Sequence, residues 1–374
     1  MTLPQVLSEL RRRRVTLVDH LDLLVSTESP SNDPEAIRTC ADVVADLSDD
    51  MLGVRPEVLH RDQAIHLRWQ TGAPRVLLLG HFDTVWPRGT IDRWPFRVTG
   101  NTATGPGVFD MKAGVIGGLH VLSLLDDLDD VAMLLTSDEE LGSPTSRELI
   151  EESAAGVDAV LVLEPSAGGA LKVARKGVSL YDILIEGRAA HAGLEPESGV
   201  NALTELAHQV LAANQLSRPR DGTTVTPTVA TAGTTSNVVP AAARLTLDVR
   251  VTTGSEQTRV DEELLRAAPV LSGARLTVTG GPNRPPLQER LATALYDRAV
   301  VLATELGIEP PAAARVGGGS DGNFTAAIGI PTLDGLGAVG GGAHAEGEHV
   351  ALHAVPERTA LVHALVLDVL GGVS

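Results

Sequence analysis

Short apolar runs of β type alternate with helical stretches in the first half of the chain, and this rhythm is the strongest constraint on its fold. The runs Val76–Leu79, Val131–Leu135 and Ala159–Leu163 are separated by the helix-like segments Gly114–Leu125 and Ser146–Ala155. The runs are continuously apolar, as expected of parallel strands that are buried on both faces. The sequence therefore predicts an α/β fold, with a mainly parallel sheet and flanking helices.

A different pattern begins at Lys176. The order there is strand, helix, strand, strand, helix, strand, which is the βαββαβ arrangement of ferredoxin-like folds. The predicted elements are Ser179–Glu186, Val200–Leu216, Thr223–Ala232, Ala243–Thr252, Glu256–Ala268 and Ala274–Thr279. Glycine and proline interrupt regular elements. We therefore expect the pattern to end at the cluster Gly280, Gly281, Pro282, Pro285 and Pro286.

Composition excludes several classes of protein. The 374 residues exceed the usual size of one domain, about 100–200 residues, so two folding units are expected. The net charge of −18 argues against a nucleic-acid partner, because phosphate binding requires a basic face. No run approaches the roughly 20 apolar residues of a membrane span. Cys40 is the only cysteine, so no internal disulfide can form and a reducing, cytoplasmic location is expected.

His81 follows the apolar strand Arg75–Gly80, and Asp83 comes two residues later. In an extended segment, the side chains at positions i and i+2 point to the same side. Asp83 could therefore accept a hydrogen bond from the imidazole and fix its tautomer. A lone histidine at a strand end more often has a structural role, but the pairing with Asp83 favours a metal ligand.

Asp110 lies in the glycine-rich segment Gly105–Gly114, which runs into a helix. An aspartate at a helix start is commonly an N-cap, and taken alone this segment fits a cap better. A carboxylate beside a helix N-terminus also stays ionised and has two oxygens to offer to two ions. Both roles therefore stay open for Asp110.

Three acidic residues, Asp138, Glu139 and Glu140, follow the apolar strand that starts at Val131. Acidic triplets are usually solvated surface. Adjacent carboxylates repel each other unless cations neutralise them, so here one could bind metal while another handles a proton. Glu164 ends a third apolar strand. Three strands thus deliver potential ligands to one edge of the sheet, where open α/β proteins build their reactive clefts.

His344 lies in the glycine-rich loop Gly340–Glu348, where an imidazole has little structural purpose. His349 and His353 are close enough in the sequence to be confused with it. Two imidazoles and three carboxylates can hold two divalent ions if one carboxylate is shared. The chain is therefore interpreted as a two-metal hydrolase.

The position of His344 also predicts the domain organisation. His344 follows the βαββαβ unit, whereas the other four candidate ligands precede it. We therefore predict a catalytic domain made of residues 1–175 and 286–374, with a separate domain of residues 176–285 inserted into it.

Five stretches of the sequence, taken in register, resemble the signatures of a known family. They are His81–Pro87, Gly105–Lys112, Ser137–Gly142, Leu163–Pro165 and Gly342–His344. The family is that of the glutamate carboxypeptidases, aminoacylases and acetylornithine deacetylases, which are di-zinc exopeptidases. The match runs in order from about Glu28 to Pro356, and Ala113 stands where a glycine often follows the Asp-Met-Lys motif.

The resemblance implies a zinc exopeptidase-like catalytic domain and a role for each candidate residue. The implied ligands are His81 and Glu164 for one zinc, Glu140 and His344 for the other, and Asp110 for both. Glu139 would be the general base and Asp83 the partner of His81, which leaves Asp138 as a supporting acid. Zinc is expected, although oxygen-rich sites also accept cobalt or manganese.

The inserted domain carries the related stretches Gly187–Gly193 and Ser236–Pro240. The resemblance implies that this domain forms a homodimer and that His191 supports the oxyanion in the partner's active site. From the residues alone, His191 is a loop residue after a strand. Asn237 and Arg250 are candidates to bind the substrate's terminal carboxylate, since a guanidinium fits that group with two parallel hydrogen bonds. An ordinary surface arginine explains Arg250 equally well.

The predicted function is that of a carboxypeptidase-like amidohydrolase. It would release a C-terminal amino acid, with glutamate as the candidate, from a small peptide or an N-acyl conjugate. A water between the metals would attack after Glu139 takes its proton. The alternative is an N-acyl-amino-acid deacylase with the same metals. A non-catalytic metal-binding dimer is more remote, because Glu139 stands beside a complete ligand set.

Overall fold

A computed structural model describes residues 1–371, which form two compact units. The first unit contains residues 1–174, 287–316 and the described residues from 320 onward. The second unit contains residues 175–286 and 317–319. In the described part of the chain, no helix is both long and apolar enough to cross a membrane.

As far as Arg175, the chain forms six α-helices and eight strands. They are α1 (Leu3–Arg12), α2 (Arg14–Ser26), α3 (Pro34–Leu52), β1 (Glu57–Arg61), β2 (Ala64–Trp69), β3 (Val76–His81), α4 (Thr90–Arg93), β4 (Arg97–Thr99), β5 (Thr102–Thr104), α5 (Ala113–Leu122), β6 (Val131–Thr136), α6 (Arg147–Ala154), β7 (Ala159–Val162) and β8 (Leu171–Arg175).

After β8 the chain forms the second unit and then continues into the rest of the first unit. The second unit contributes β9 (Gly177–Glu186), α7 (Ala202–Gln215), β10 (Thr224–Ala232), β11 (Ala242–Val251), α8 (Gly254–Leu265) and β12 (Arg275–Arg284). The first unit then continues with α9 (Thr293–Leu306), β13 (Ala313–Val316), α10 (Gly322–Ala327), β14 (Thr332–Leu333), β15 (Gly340–Gly341), β16 (His349–Ala351) and α11 (Ala354–Val369).

The central sheet of the first unit has the strand order β1-β2-β6-β3-β7-β14. Strands β6, β3, β7 and β14 are parallel, while β1 and β2 add an antiparallel edge. Helices cover both faces. Leu78 belongs to a large core with α2, α3, α5, α9 and α11, and Leu77 packs on the opposite face with Ile150 of α6 and Phe324 of α10. The predicted α/β fold is confirmed, and burial on both faces explains the continuously apolar strands.

A small second sheet in the same unit has the order β15-β16-β5-β4. Strand β16 pairs with β15 on one side and with β5 on the other. The loop between β15 and β16 contains His344, and the segment after β5 contains Asp110. This sheet therefore carries both loops that supply candidate ligands from outside the central sheet.

The second unit has a four-stranded antiparallel sheet in the order β10-β11-β9-β12. Helices α7 and α8 pack against one face, where Ile183, Leu247 and Leu264 are buried. On the other face Leu180 and Leu184 are 52% and 41% exposed. The order of helices and strands is the predicted βαββαβ arrangement, which is confirmed.

The predicted end of the last strand at Thr279 is wrong, because β12 continues through Gly280, Gly281 and Pro282 to Arg284. A Cβ atom on Gly280 would lie 2.1 Å from the carbonyl oxygen of Leu180, so glycine allows β12 to approach β9 closely. Pro282 is tolerated because β12 is an edge strand, where a missing N–H leaves no interior pairing unsatisfied.

Candidate metal centre

Three neighbouring parallel strands bring candidate ligands to one edge of the central sheet. His81 is the last residue of β3, and Glu164 follows the end of β7 by two positions. Glu140 lies in the short helical turn Glu139–Leu141 that follows β6. In the sheet, His81 is paired with Thr136, the last residue of β6. The carboxyl ends of the strands therefore converge, as parallel register requires.

Asp110 reaches the same place from the segment between β5 and α5. Its peptide bond to Met111 is cis. The N-cap position of α5 belongs to Lys112, and no side chain caps this helix. The alternative role of Asp110 as an N-cap is therefore wrong. Its side chain is only 15% exposed and faces imidazoles instead.

The first group of candidate ligands consists of His81, Asp110 and Glu164. The Nε2 atom of His81 lies 3.4 Å from Oδ1 of Asp110 and 3.4 Å from Oε1 of Glu164. All three donor atoms lie within 4.8 Å of one another. His81 and Glu164 are 1% and 7% exposed. A single ion of ordinary radius can contact three donors so placed.

The second group consists of Asp110, Glu140 and His344. The Nε2 atom of His344 lies 3.1 Å from Oε1 of Glu140 and 3.3 Å from Oδ2 of Asp110. The two oxygens of Asp110 thus face different groups, Oδ1 the first and Oδ2 the second. The backbone of His344 is left-handed, with φ of 62°. Such a conformation is uncommon for a residue other than glycine and often marks a functional position.

The tautomer of His81 follows from the hydrogen-bond acceptors around its second ring nitrogen, Nδ1. Nδ1 lies 3.1 Å from the backbone carbonyl oxygen of Asp83 and 3.4 Å from Oδ1 of the same residue. Both are acceptors, so a neutral ring carries its proton on Nδ1 and keeps the lone pair on Nε2. Asp83 itself accepts from Ser31 Oγ at 2.7 Å and from the backbone N–H of Glu140 at 3.3 Å. Its contacts therefore tie β3 to the turn that carries Glu140.

The carboxylates attract positive charge strongly. Burial lowers the pKa of His81, but contacts with Asp110 and the other carboxylates outweigh it and hold that pKa well above its usual value. Contacts with Asp110 and Glu140 raise the pKa of His344 to about 10, against the effect of burial. Burial raises the pKa of Glu140, although His344 opposes this. Without metal, protons on the imidazoles therefore balance the acidic oxygens.

The donor set fits divalent metal ions. Nε2 of His81 and Oδ1 of Asp110 are buried atoms without a hydrogen-bond partner, and both point into the first group. Buried polar atoms are normally paired, so orphaned donors in one place indicate a missing ligand. Imidazole nitrogen and carboxylate oxygen are both ordinary zinc ligands. One cation for each group would replace the protons on the imidazoles.

The other two acids of the triplet differ in their surroundings. Asp138 is 3% exposed and accepts hydrogen bonds from the backbone N–H groups and hydroxyls of Thr145 and Ser146. It therefore stabilises the turn that leads into α6. Glu139 is half-buried and immediately precedes Glu140. Among the described residues, Glu139 belongs to neither ligand group, although it is adjacent in sequence to Glu140.

His191, Asn237 and Arg250 belong to the second unit. His191 is exposed, and its Nδ1 accepts hydrogen bonds from the backbone N–H groups of Gly193 and Leu194 at 3.1 Å. The backbone N–H of Ala192 donates to the carbonyl oxygen of Asn237 at 2.9 Å, so these two segments are adjacent. The hydrogen bonds to Nδ1 leave Nε2 of His191 as the nitrogen that can donate.

Arg250 is one of three arginines at the turn formed by Gly317, Gly318 and Gly319, a grouping that sequence patterns do not predict. Its Nη1 lies 3.5 Å from the carbonyl oxygen of Gly317, and its guanidinium pairs with Asp248 at 2.8 Å. Arg175 donates to the carbonyl oxygens of Gly318 and Gly319 at 3.2 and 3.0 Å. A Cβ atom on Gly319 would lie 2.9 Å from Cδ of Arg284.

Two further residues of the first unit escaped the sequence analysis. Lys172 is 9% exposed, and its Nζ lies 3.6 Å from Oε2 of Glu164. Glu348 is fully buried and accepts hydrogen bonds from backbone N–H groups around Asp110. Glu348 lies four positions after His344, at the end of the glycine-rich loop Gly340–Glu348. The short spacing to a candidate ligand was the only signal that could have identified it.

Comparison with known families gives one match over most of the chain. A family model described as peptidase family M20/M25/M40 matches residues 77–368. Carboxypeptidase G2 from Pseudomonas sp. is 35% identical over 318 residues, which cover 80% of this chain and 75% of that protein. N-acetyl-L-citrulline deacetylase from Xanthomonas campestris is 33% identical over 189 residues, or 50% of each chain. Succinyl-diaminopimelate desuccinylase 1 from Alteromonas mediterranea is 28% identical over 314 residues, or 76% of this chain and 79% of that protein.

Solved structures share the fold at low sequence identity. Aminopeptidase PepT from Bacillus cereus superimposes with a TM-score of 0.73 at 21% identity, covering 96% of this chain and 99% of that one. An M20 family metallo-carboxypeptidase from Sulfolobus solfataricus gives 0.73 at 16% identity, with 94% and 98% covered. A dinuclear metal-binding M20 peptidase from Bacillus subtilis gives 0.69 at 17% identity, with 97% and 100% covered.

Proposed function

The chain belongs to peptidase family M20/M25/M40 and is a metal-dependent hydrolase of amide bonds, and on that premise we propose its substrate and the roles of its residues. The proposed reaction releases a C-terminal amino acid, with glutamate as the first candidate, from a small peptide or an N-acyl conjugate. The observation that carries the proposal is the pair of ligand groups that share Asp110 beside the half-buried Glu139. The name of the 35% identical relative, carboxypeptidase G2, supports the same kind of reaction.

We assign His81 and Glu164 to one metal, Glu140 and His344 to the other, and Asp110 to both. Zinc is the proposed ion, since imidazole and carboxylate both suit it, and cobalt or manganese is the alternative. When bound, such ions lower the pKa of a water to about 7 and polarise the carbonyl of the scissile amide.

The protein's own groups then handle the protons and the charge. Glu139 takes the proton of the attacking water and delivers it to the leaving nitrogen, as a general base and then a general acid. Asp83 holds the proton of His81 on Nδ1, so that Nε2 keeps its lone pair. His191 of one protomer donates a hydrogen bond from Nε2 to the oxyanion that develops in its partner's active site, a role worth about 3–4 kcal/mol in comparable sites.

Recognition of the released amino acid is assigned to Asn237 and Arg250 of the second unit. Arg175 and Arg284 reinforce the positive charge at the same glycine turn as Arg250. Guanidinium groups bind a carboxylate with paired, charge-assisted hydrogen bonds, which suits a substrate with a free terminal carboxylate. We also propose a homodimer formed through the second unit and a cytoplasmic location, both on the strength of the sequence.

The second candidate is an N-acyl-amino-acid deacylase. It is favoured by the similarity to N-acetyl-L-citrulline deacetylase and to succinyl-diaminopimelate desuccinylase 1, whose names describe removal of a small acyl group. The chemistry at the amide is the same in both candidates. They differ in the size of the acyl group and in the ability to cleave a peptide.

The test is a substrate panel with the zinc-loaded protein. It contains dipeptides and aromatic N-acyl conjugates ending in glutamate, together with acetylated and succinylated amino acids. We expect the glutamate conjugates to be cleaved best. Replacement of the terminal carboxylate by a carboxamide should reduce kcat/KM on the order of 100-fold, because charged hydrogen bonds are lost. Cleavage of acetylated or succinylated amino acids without any dipeptide cleavage would favour the deacylase. No hydrolysis of any amide would overturn both candidates.

A further inference from the structure

We infer that Glu348 is a positioning residue that holds the segments of Asp110 and His344 in one arrangement, so that the second metal depends on Glu348 more than the first. The inference rests on the proposed function, because it concerns the proposed metal ligands. Glu348 itself belongs to neither ligand group, and its carboxylate contacts backbone N–H groups and the indole of Trp86.

The carboxylate of Glu348 is fully buried and accepts four hydrogen bonds from N–H donors. Oε1 accepts from the backbone N–H groups of Phe109 at 2.8 Å and of Asp110 at 2.9 Å. Oε2 accepts from the backbone N–H of Gly107 at 3.0 Å and from Nε1 of Trp86 at 2.9 Å. These contacts hold the backbone of residues 107–110, which carries the Asp110 side chain. They also join it to the segment that follows His81.

The same residue fixes the loop of His344 from the other end. The backbone N–H of Glu348 donates to the carbonyl oxygen of Ala345, and that of Ala345 donates to Gly342. A Cβ atom on Gly342 would lie 3.1 Å from Cα of Glu348, so the two ends of the loop touch. His344 therefore lies in a closed loop whose last residue, Glu348, is hydrogen-bonded to the Asp110 segment. We call these hydrogen bonds of the Glu348 carboxylate the clamp.

A carboxylate suits this position better than any neutral side chain. Two oxygens serve four donors, and each oxygen can accept two hydrogen bonds. A glutamine would keep one oxygen but would turn an NH2 group toward two N–H donors, which repel it. An aspartate is one methylene shorter and cannot reach all four. Glu348→Gln is therefore the sharpest substitution, because it preserves volume and removes half of the acceptors.

The two metal sites depend on this clamp unequally. Asp110 serves both sites, but His344 serves only the second. Two of the three proposed ligands of the second site, and one of the three of the first, thus sit on segments that Glu348 holds. Partners that orient ligands typically contribute 10–100-fold to metal affinity. The loss of affinity should therefore be larger for the second metal than for the first.

The experiment is a zinc titration of chelated wild-type and Glu348→Gln protein, with metal content after dialysis and the visible spectrum of the cobalt form as further readouts. We expect two zinc ions in the wild type. In Glu348→Gln we expect the second ion to bind about 10–100-fold more weakly and the first ion to lose clearly less affinity, because Asp110 is the only ligand of the first ion on a segment that Glu348 holds. The cobalt spectrum should lose the component of the second ion.

Glu205→Gln is the matched control. Glu205 is also fully buried and also accepts backbone N–H groups, from Val270 and Leu271, but it lies in the second unit. Its substitution should lower Tm without changing either metal affinity. An equal loss of metal in Glu205→Gln would show a general effect of destabilisation and would overturn the inference.

Two further outcomes separate the inference from the proposed function. Two unchanged affinities in folded Glu348→Gln would overturn the inference alone, whereas a wild type that binds no metal would overturn both. If Glu348→Gln does not fold, Trp86→Phe removes only one of the four donors. It should weaken the second ion about three-fold and leave the first unchanged. Equal affinities in Trp86→Phe and the wild type would then count against the clamp.

Discussion

The Nε2 atom of His344 lies 3.1 Å from Oε1 of Glu140, although 204 positions of sequence separate the two residues. The contact joins the loop between β15 and β16 to the turn after β6, both within the first unit. It also distinguishes His344 from His349, whose Nδ1 lies 3.0 Å from the carbonyl oxygen of Gly347. Nε2 of His344 faces two carboxylates, so His344 is a ligand candidate, whereas His349 belongs to neither ligand group found among the described residues.

The first prediction follows from this distinction. His344→Ala should bind only one tightly held metal ion and should lose most hydrolytic activity, because the second group keeps only two carboxylates. His349→Ala should keep both ions and near wild-type activity. Metal content after dialysis and kcat/KM are the measurements. Two tightly held ions in His344→Ala would remove His344 from the ligand set.

Much of this centre could be predicted because strand ends are visible in the sequence. His81, Glu140 and Glu164 each follow a continuous apolar run, and parallel strands bring such ends together. The sequence alone does not decide between a cap and a ligand for Asp110, because only the structure shows that no side chain caps α5. Glu348 was missed because its donors lie about 240 positions earlier, as for Gly107 at 241 positions. Sequence patterns report local periodicity and not such distant pairings.

The end of β12 was mispredicted for a similar reason. Glycine and proline usually interrupt a strand, but Gly280 accommodates the nearby carbonyl of Leu180 and Pro282 lies on an edge. Whether these residues break a strand therefore depends on the neighbouring strand, which the local sequence does not show. The arginines around the glycine turn at 317–319 are likewise brought together only by the fold.

The second prediction concerns the proposed general base. Glu139→Gln should keep both metal ions, because Glu139 belongs to neither ligand group. Its kcat should fall by about 100-fold or more, since an amide cannot take the proton of the attacking water. Glu152→Gln, an exposed change on α6, is the control and should leave kcat unaltered. Full activity of Glu139→Gln would require another base.

The third prediction is a dependence of stability on pH that arises away from the metals. Burial, followed by the nearby His20 and Arg13, lowers the pKa of His120 to about 4. The folded protein keeps this imidazole neutral, whereas the unfolded chain takes up a proton below about pH 6.5. The stability that the protein has with His120 neutral is therefore fully present above about pH 6.5. It is lost as the pH falls from about 6.5 toward 4, because protonation then favours the unfolded chain.

Urea unfolding of chelated protein at about pH 7.5 and about pH 5 measures this effect. His120 should account for a loss of about 2 kcal/mol in the free energy of unfolding between these conditions. Other histidines and carboxylates also titrate in this range, so the comparison is with His120→Gln. That variant should lose about 2 kcal/mol less than the wild type over the same interval. Identical pH dependence in the two proteins would refute the assignment.

The last prediction concerns Gly114 and Gly337, which both pack closely against Leu163, the residue before Glu164. A Cβ atom on Gly114 of α5 would lie 2.1 Å from the carbonyl oxygen of Leu163, and one on Gly337 would lie equally near. Gly114→Ala must therefore displace Leu163, and Glu164 with it. We expect a loss of about 1–3 kcal/mol of stability, the usual cost of overpacking, together with weaker binding of the first metal.

Gly117→Ala provides the control within the same helix. Its Cβ atom would lie 3.2 Å from the hydroxyl of Thr359, which can turn aside. The roughly 1 kcal/mol by which alanine favours a helix over glycine should offset the cost of this close contact, so the Tm of Gly117→Ala should change little. Thermal unfolding and zinc titration of both variants test the argument. A Gly114→Ala protein with wild-type Tm and wild-type affinity for both ions would show that Leu163 can yield without disturbing Glu164.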